Sequence, residues 1–144
     1  MSHHKKRREF MATLEKIEGI GKAHSKKLAQ IGIRTTEGLL KKGATPKGRK
    51  EIEDASGLGH KLILEWVNLA DLFRVKGIGE EYSDLLEEAG VDTVAELAQR
   101  RADNLHEKVL KVNAAKKLVR RPPAAGMIAD WIKQAKKLPK VVKY

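Results

Sequence analysis

The chain repeats one sequence pattern, and this repeat constrains its fold more than any other feature. Residues 17–21, Ile-Glu-Gly-Ile-Gly, are matched 58 positions later by residues 75–79, Val-Lys-Gly-Ile-Gly, and Trp66 is matched 65 positions later by Trp131. A repeat of this length is typical of a supersecondary unit that buries its apolar face against a neighbour. We therefore predict a tandem duplication, with about seven residues added in the second copy, that folds as one continuous bundle.

The first Gly-Ile-Gly, at 19–21, predicts a tight turn that leads into a helix. Glycine tolerates positive φ and close approach of the backbone, so Ile20 between the two glycines can point inward. Lys22 then opens a helix whose first N–H groups have no partner within the helix. These groups carry the positive end of the helix dipole and favour an anion such as a phosphate. Lys26 and Lys27 add positive charge within reach of the same end.

These residues resemble a helix-hairpin-helix motif, in which a Gly-apolar-Gly hairpin presents its N–H groups to a nucleic-acid phosphate. The match extends over about twenty residues, as far as Thr36. A second Gly-apolar-Gly follows at 57–59, ahead of another predicted helix. Two such hairpins resemble the double helix-hairpin-helix unit that grips the two backbones flanking a duplex minor groove. The resemblance implies paired phosphate clamps at Gly19–Lys22 and Gly57–Lys61.

Helix start and stop signals predict an all-α protein, and the resemblance makes it a tandem helix-hairpin-helix (SAM-like) bundle of about nine short helices in two pseudo-repeats. Thr45-Pro46 is a strong start signal, since threonine caps helices well and proline suits their first position. Thr93 forms a capping box with Glu96 three residues on. The helices are expected at about 10–19, 22–31, 36–43, 60–74, 104–119 and 125–138, with another starting at Pro46. The predicted divisions are a basic disordered arm at 1–9, a first double helix-hairpin-helix unit at 10–74, a second, divergent unit packed on it at 75–138, and a basic tail at 139–144.

The two copies carry opposite charge after their glycine turns. Five acidic residues lie between 80 and 88, whereas the matching stretch, 22–30, contains three lysines and no carboxylate. Acidic side chains suit a helix N-terminus but repel phosphate. We therefore expect the third hairpin not to bind DNA and to serve packing, self-association or another protein. The fourth hairpin, at 120–126, is degenerate, with one glycine and flanking arginines.

The net charge of +11 favours a polyanionic partner, although part of it neutralises acidic residues of the chain itself. Residues 1–50 carry a net +10, residues 51–99 a net −9 and residues 100–144 a net +10. The arm at 1–9 either adds sequence-independent affinity for nucleic acid or serves as a solubilising tail. The lysines of the helix expected at 104–119 likewise form either a solvated face or a further nucleic-acid contact.

The composition also excludes several classes of function. The absence of cysteine excludes disulfides and thiolate zinc sites. Since there is no run of eighteen apolar residues and no signal-peptide segment, we expect a soluble, cytoplasmic, nucleoid-associated protein without a membrane partner. His24, His60 and His106 share no metal-ligand spacing, and no paired acid and base or P-loop occurs, so we predict no enzyme activity, catalytic residue or metal. Few aromatic residues are present to stack on bases, which favours a duplex over a single strand.

Over residues 10–138 the chain is similar to an uncharacterised, mainly prokaryotic family of duplicated helix-hairpin-helix proteins. The resemblance implies the fold, settles no activity, and allows a monovalent cation coordinated by hairpin carbonyls. We predict non-enzymatic, sequence-independent binding of double-stranded DNA through contacts with backbone phosphates, and structured RNA stays open as the nucleic acid. An alternative is a protein-interaction or self-assembly scaffold with structural hairpins, in which the acidic residues 77–96 make the contact. The predicted DNA-binding residues are Gly19, Ile20, Gly21, Lys22, Lys26, Lys27, Gly57, Gly59 and Lys61.

Overall fold

The structure, a computed structural model, describes residues 13–17 and 19–144, and this part of the chain forms helices and no strand. A short 3₁₀ helix at Leu14–Lys16 comes first. Eight α-helices follow, namely α1 (Lys22–Gln30), α2 (Thr36–Gly43), α3 (Pro46–Ser56), α4 (His60–Leu72), α5 (Glu80–Glu88), α6 (Val94–Ala98), α7 (Ala102–Lys116) and α8 (Ala125–Lys137). The predicted all-α class is confirmed, while the helix-hairpin-helix pseudo-repeats stay a prediction.

The N-terminal predictions fall largely outside the described residues. The basic arm predicted at 1–9 lies wholly outside them, as do the first residues of the helix predicted from Phe10. Where that helix enters the described part of the chain, the backbone forms the single 3₁₀ turn, whose Leu14 is buried.

Threonine side chains fix three of the helix starts, as the sequence predicts. The hydroxyl oxygen of Thr35 accepts from the N–H of Gly38 at 2.9 Å, that of Thr45 from Gly48 at 3.1 Å, and that of Thr93 from Glu96 at 3.2 Å. Glu96 forms a variant of the predicted capping box. Its carboxylate accepts from the N–H of Asp92, the residue before the N-cap residue Thr93. Each bond satisfies an N–H group that the helix itself leaves without a partner, so it fixes where the loop becomes a helix.

The chain passes unusually close to itself at Gly48, near the start of α3. A Cβ atom at this position would lie 1.9 Å from the carbonyl oxygen of Lys42, in the last turn of α2. No side chain fits in that space. The connection between α2 and α3 therefore depends on glycine for its close backbone approach.

The chain divides into two compact units. The first holds the described residues up to Asp71 together with 141–144, and the second holds 72–140. Both units bury the same positions of the repeated sequence pattern. These positions are Ile17, Ile20, Leu28, Ile33, Leu39 and Trp66 in the first unit, and Val75, Ile78, Leu86, Val91, Leu97 and Trp131 in the second.

The last four residues, which the sequence suggests are a basic tail, are packed into the first unit. Val142 is only 2% exposed, and the N–H of Lys143 donates to the carbonyl of Ala44 at 2.7 Å. The buried guanidinium of Arg49 donates from Nη1 to Gly43 O at 2.8 Å and from Nη2 to Lys143 O at 2.7 Å. Arg49 thereby joins α3 to a segment 94 residues further along the chain.

Candidate nucleic-acid interface

The N-terminus of α1 is open to solvent. Gly21 is its N-cap residue, in an extended conformation, and no side chain caps the helix. A Cβ atom built on Gly21 would meet nothing within 4 Å, and Gly21, Lys22 and Ala23 are all exposed. The first N–H groups of a helix have no partner inside it, so those of Lys22 and Ala23 are offered to a ligand or to water.

Three lysines lie along this helix, Lys22 at its start, Lys26 one turn further on and Lys27 in its last turn. Lys22, Lys26 and Lys27 are all exposed, and none makes an ion pair with any residue of the described chain. Lys22 and Lys26 are four residues apart and so lie on the same face of α1. Uncompensated positive charge therefore adds to the positive end of the helix dipole.

Ile20, between the two glycines of the turn, is buried in the core. Its side chain is 3% exposed, and its N–H donates to the carbonyl of Ile17 at 3.1 Å. Both its side chain and its N–H are thus engaged within the protein. Ile20 belongs to the candidate site as an anchor that holds the glycine turn on the core.

Two aromatic rings hold the turn in place. Gly19 has φ +90°, and a Cβ atom there would lie 3.5 Å from Nε1 of the buried Trp66 on α4. The His24 ring packs on Trp66 with centroids 5.1 Å apart, and its Nδ1 donates to the carbonyl of Gly19 at 3.4 Å. This role of His24 was not predicted, since its spacing from the other histidines bears only on metal binding.

The second unit builds the same turn. Gly77 has φ +99°, and a Cβ atom there would lie 2.9 Å from Nε1 of Trp131. Tyr82 packs on Trp131 with centroids 5.2 Å apart, in place of the histidine. Tyr82 follows His24 at the same offset of 58 residues, a signal that could have identified both rings.

The charge at this second turn is inverted. Gly79 is the N-cap residue of α5, again without a side-chain cap, but Glu80 and Glu81 occupy the first turn of the helix. Both carboxylates are exposed. Their negative charges interact favourably with the positive end of the helix dipole and repel an anion. The same backbone geometry is therefore suited to phosphate in the first unit only.

The glycine turn at 57–59 offers fewer free groups. Gly57 ends α3 in the left-handed conformation, with its N–H bonded to Glu53 O at 2.8 Å, and the N–H of Leu58 donates to the hydroxyl of Ser56. The Glu53 carboxylate also contacts Nδ1 of His60 at 3.1 Å, which places a negative charge beside this turn. Gly57, Gly59 and Lys61 are exposed.

The expected fourth hairpin has a different form. Gly126, its one glycine, is the second residue of α8 and takes no part in a turn. The residue that ends α7 in the left-handed conformation, as Gly57 ends α3, is Lys117 with φ 51°. Because lysine seldom adopts positive φ, the residue type at this position does not predict such a conformation.

Two carbonyls of the first turn, where a monovalent cation is predicted as a possibility, already accept hydrogen bonds. The carbonyl of Gly19 accepts from Nδ1 of His24, and that of Ile17 accepts from the N–H of Ile20. Each oxygen thus uses one of its two lone pairs within the protein. No group of three histidine, aspartate or glutamate residues in the described part of the chain is arranged to hold a metal ion.

The fold and this geometry define a class: an all-helical protein in which each unit sets a glycine turn against a buried tryptophan, ahead of a helix with no side-chain cap. The chain belongs to the family described as a domain of unknown function (DUF4332), whose model matches residues 18–138. The predicted membership of an uncharacterised family is thus confirmed. No curated protein and no solved structure matches the chain at a significant level. Among the described residues, no helix has the length and hydropathy needed to cross a bilayer.

Proposed function

We propose that this protein binds double-stranded DNA without sequence preference and without catalysis, through backbone phosphates at the N-terminus of α1. One observation carries the proposal: α1 starts at a solvent-exposed, uncapped N-terminus and carries three exposed lysines that have no ion-pair partner in the described chain. Phosphate is the anion that such a helix end binds most readily in proteins. Contacts of this kind position a protein on DNA without reading the bases.

The glycines at 19 and 21 shape this site, and Lys22, Lys26 and Lys27 supply its charge. In the proposal, the turn at 57–59 makes a second, weaker contact through the backbone around Gly57 and Gly59 and the side chain of Lys61. It is weaker because Glu53 stands beside it. In this arrangement the two turns act as the paired clamps of a helix-hairpin-helix unit.

The test is fluorescence anisotropy of a labelled random-sequence duplex over a range of salt concentrations. We compare the parent chain with Lys22→Gln/Lys26→Gln, which removes two charges and keeps helix-forming side chains. The slope of log affinity against log salt should fall by about 0.9 per lost phosphate contact, or about 1.8 in all. Each phosphate contact raises the affinity by a factor of about 8 when the salt concentration is lowered from 1 M to 0.1 M. The loss of two contacts should therefore lower the affinity at 0.1 M salt by about 60-fold.

The matched control is Lys42→Gln/Lys50→Gln. These lysines are also exposed and lie on helices of the same unit, but each already pairs with a carboxylate, Lys42 with Glu51 and Lys50 with Asp54. The control should bind as the parent does. Equal losses in both variants would mean that only net charge matters, and a chain lacking 1–9 that no longer binds would place the contact on the arm.

A second candidate is self-association through the acidic segment 77–96. It is favoured by the exposed glutamates of α5, which are opposite in sign to the lysines of α1. Sedimentation velocity separates the two candidates. A salt-sensitive oligomer without duplex binding would support the scaffold, whereas a monomer that binds duplex would support the DNA contact.

A further inference from the structure

The second unit also has a basic surface, formed by residues that are distant in sequence from its glycine turn. A groove of about 590 Å³ runs between the start of α7 and α8. Arg100, Arg101 and Asp103 line one side of this basic groove, and Ile132, Lys133 and Lys136 line the other. Four cationic side chains and one carboxylate thus meet in one depression.

Most of this charge is uncompensated. Asp103 pairs with Arg101 at 3.2 Å, but Arg100, Lys133 and Lys136 make no ion pair with any described residue. Two lysines further along α7 differ in this respect, because Lys111 pairs with Glu107 and Lys116 with Glu88. Like charges collected in one groove repel one another, and an anionic ligand relieves that repulsion.

The cationic side chains of the groove suit phosphate oxygens. Ile132, which is buried, is among the residues that line the groove, and Asp103 is their one carboxylate. Arginine offers a planar fork of donors that suits phosphate, and two lysines three residues apart on α8 lie on one helix face. The positive end of the α7 helix dipole adds to this charge. Its N-cap residue Arg101 gives no side-chain cap, and in its first turn the carboxylate of Asp103 accepts from the N–H of Asn104 at 2.8 Å.

Cations on both sides of the groove fit a row of phosphates better than a single ion. We propose that this basic groove binds consecutive backbone phosphates of a nucleic acid. The second unit then makes its own contact with the polyanion although its glycine turn opens with Glu80 and Glu81. This inference rests on the proposed function for the identity of the partner, and it concerns different residues.

The test uses the full chain with Lys133→Gln/Lys136→Gln in the same anisotropy titration. The salt slope should fall by about 1.8 and the affinity at 0.1 M salt by about 60-fold, as for any two phosphate contacts. Lys42→Gln/Lys50→Gln again serves as the control, since it removes the same charge from lysines that are already paired. Circular dichroism of each variant checks that the helices persist. An unchanged slope in the groove variant would overturn the inference.

The two proposals fail in distinguishable ways. Loss of slope in Lys22→Gln/Lys26→Gln alone leaves the function standing and removes the groove. Loss in Lys133→Gln/Lys136→Gln alone keeps the groove and removes the α1 site. A parent chain that binds no duplex overturns both.

A further arm separates a nucleic-acid backbone from a free phosphate. Inorganic phosphate is titrated at constant ionic strength while amide resonances of 100–103 and 133–136 are followed by NMR, and the titration is repeated with duplex. The inference requires that duplex shifts these resonances. Saturation by phosphate alone, with no response to duplex, would make the groove a site for a small phosphorylated ligand and overturn the proposal.

Discussion

Replacement of Arg49 by methionine should weaken the first unit substantially. The guanidinium is 2% exposed and bridges two carbonyls, Gly43 O and Lys143 O, at 2.8 and 2.7 Å. Methionine keeps much of the side-chain volume and removes both bonds. The packing around α3 is therefore largely preserved, and the change isolates the polar contacts.

The expected magnitude follows from these two bonds. A hydrogen bond from a charged donor contributes about 1.5 to 3 kcal/mol, so two contribute about 3 to 6 kcal/mol. Part of this is recovered, because Nε of Arg49 is buried without a partner among the described residues and the variant no longer buries it, which returns about 1 to 3 kcal/mol. Burial also lowers the pKa of Arg49, which reflects the same cost of removing the charge from water. The middles of the two ranges differ by about 2.5 kcal/mol, so we expect the free energy of unfolding to fall by about 2 to 3 kcal/mol.

Urea denaturation measures this change. With a slope of about 2 kcal/mol per molar urea, the midpoint should drop by about 1 to 1.5 M. A chain without 141–144 completes a double-mutant cycle, since it removes the Lys143 acceptor. The two changes should be non-additive, with a coupling of about 1.5 to 3 kcal/mol for the shared bond. A midpoint shift under 0.3 M, or an additive cycle, would refute the assignment of Arg49 as the link to the C-terminal segment.

Two further changes test the turns and the close approach. The double substitution Glu80→Lys/Glu81→Ala gives the start of α5 the residues that α1 has at Lys22 and Ala23. The slope of log affinity against log salt for duplex binding should become steeper by about 0.9. The free energy of unfolding should fall by about 1 kcal/mol, because two first-turn carboxylates are lost. An unchanged slope in anisotropy would mean that the shared geometry does not bind phosphate. Gly48→Ala should lower the free energy of unfolding by more than about 3 kcal/mol in urea, because its Cβ would lie 1.9 Å from a backbone oxygen that cannot move alone; a loss near 1 kcal/mol would show that α2 and α3 can separate cheaply.

The helix starts could be predicted from the sequence because their causes are local. The hydroxyl of Thr45 accepts from the N–H three positions further on, and proline at 46 already has a helical φ. A window of a few residues therefore contains the whole interaction. The buried positions were also predictable in part, since apolar residues recur at the same offset in both copies. The turn residues Gly19 and Gly77 adopt the positive φ that their residue type suggests.

The contacts that complete the fold were not predictable in this way. Nothing near Val142 in the sequence indicates its burial, and its neighbour Lys143 is held by Ala44 and Arg49, more than ninety positions earlier. The basic groove has the same origin: arginines at 100 and 101 and lysines at 133 and 136 look like scattered surface charge until α7 and α8 pack together. The role of His24 depends on Trp66, which lies on another helix.

The packing of 141–144 on the first unit makes that unit discontinuous in sequence. Its two parts are separated by the whole of the second unit, 72–140, so Arg49 has only one of its two carbonyl acceptors until residue 143 is in place. Forming this contact closes a loop of more than ninety residues, and the entropy cost of that closure is lower when 72–140 have already folded into a compact unit.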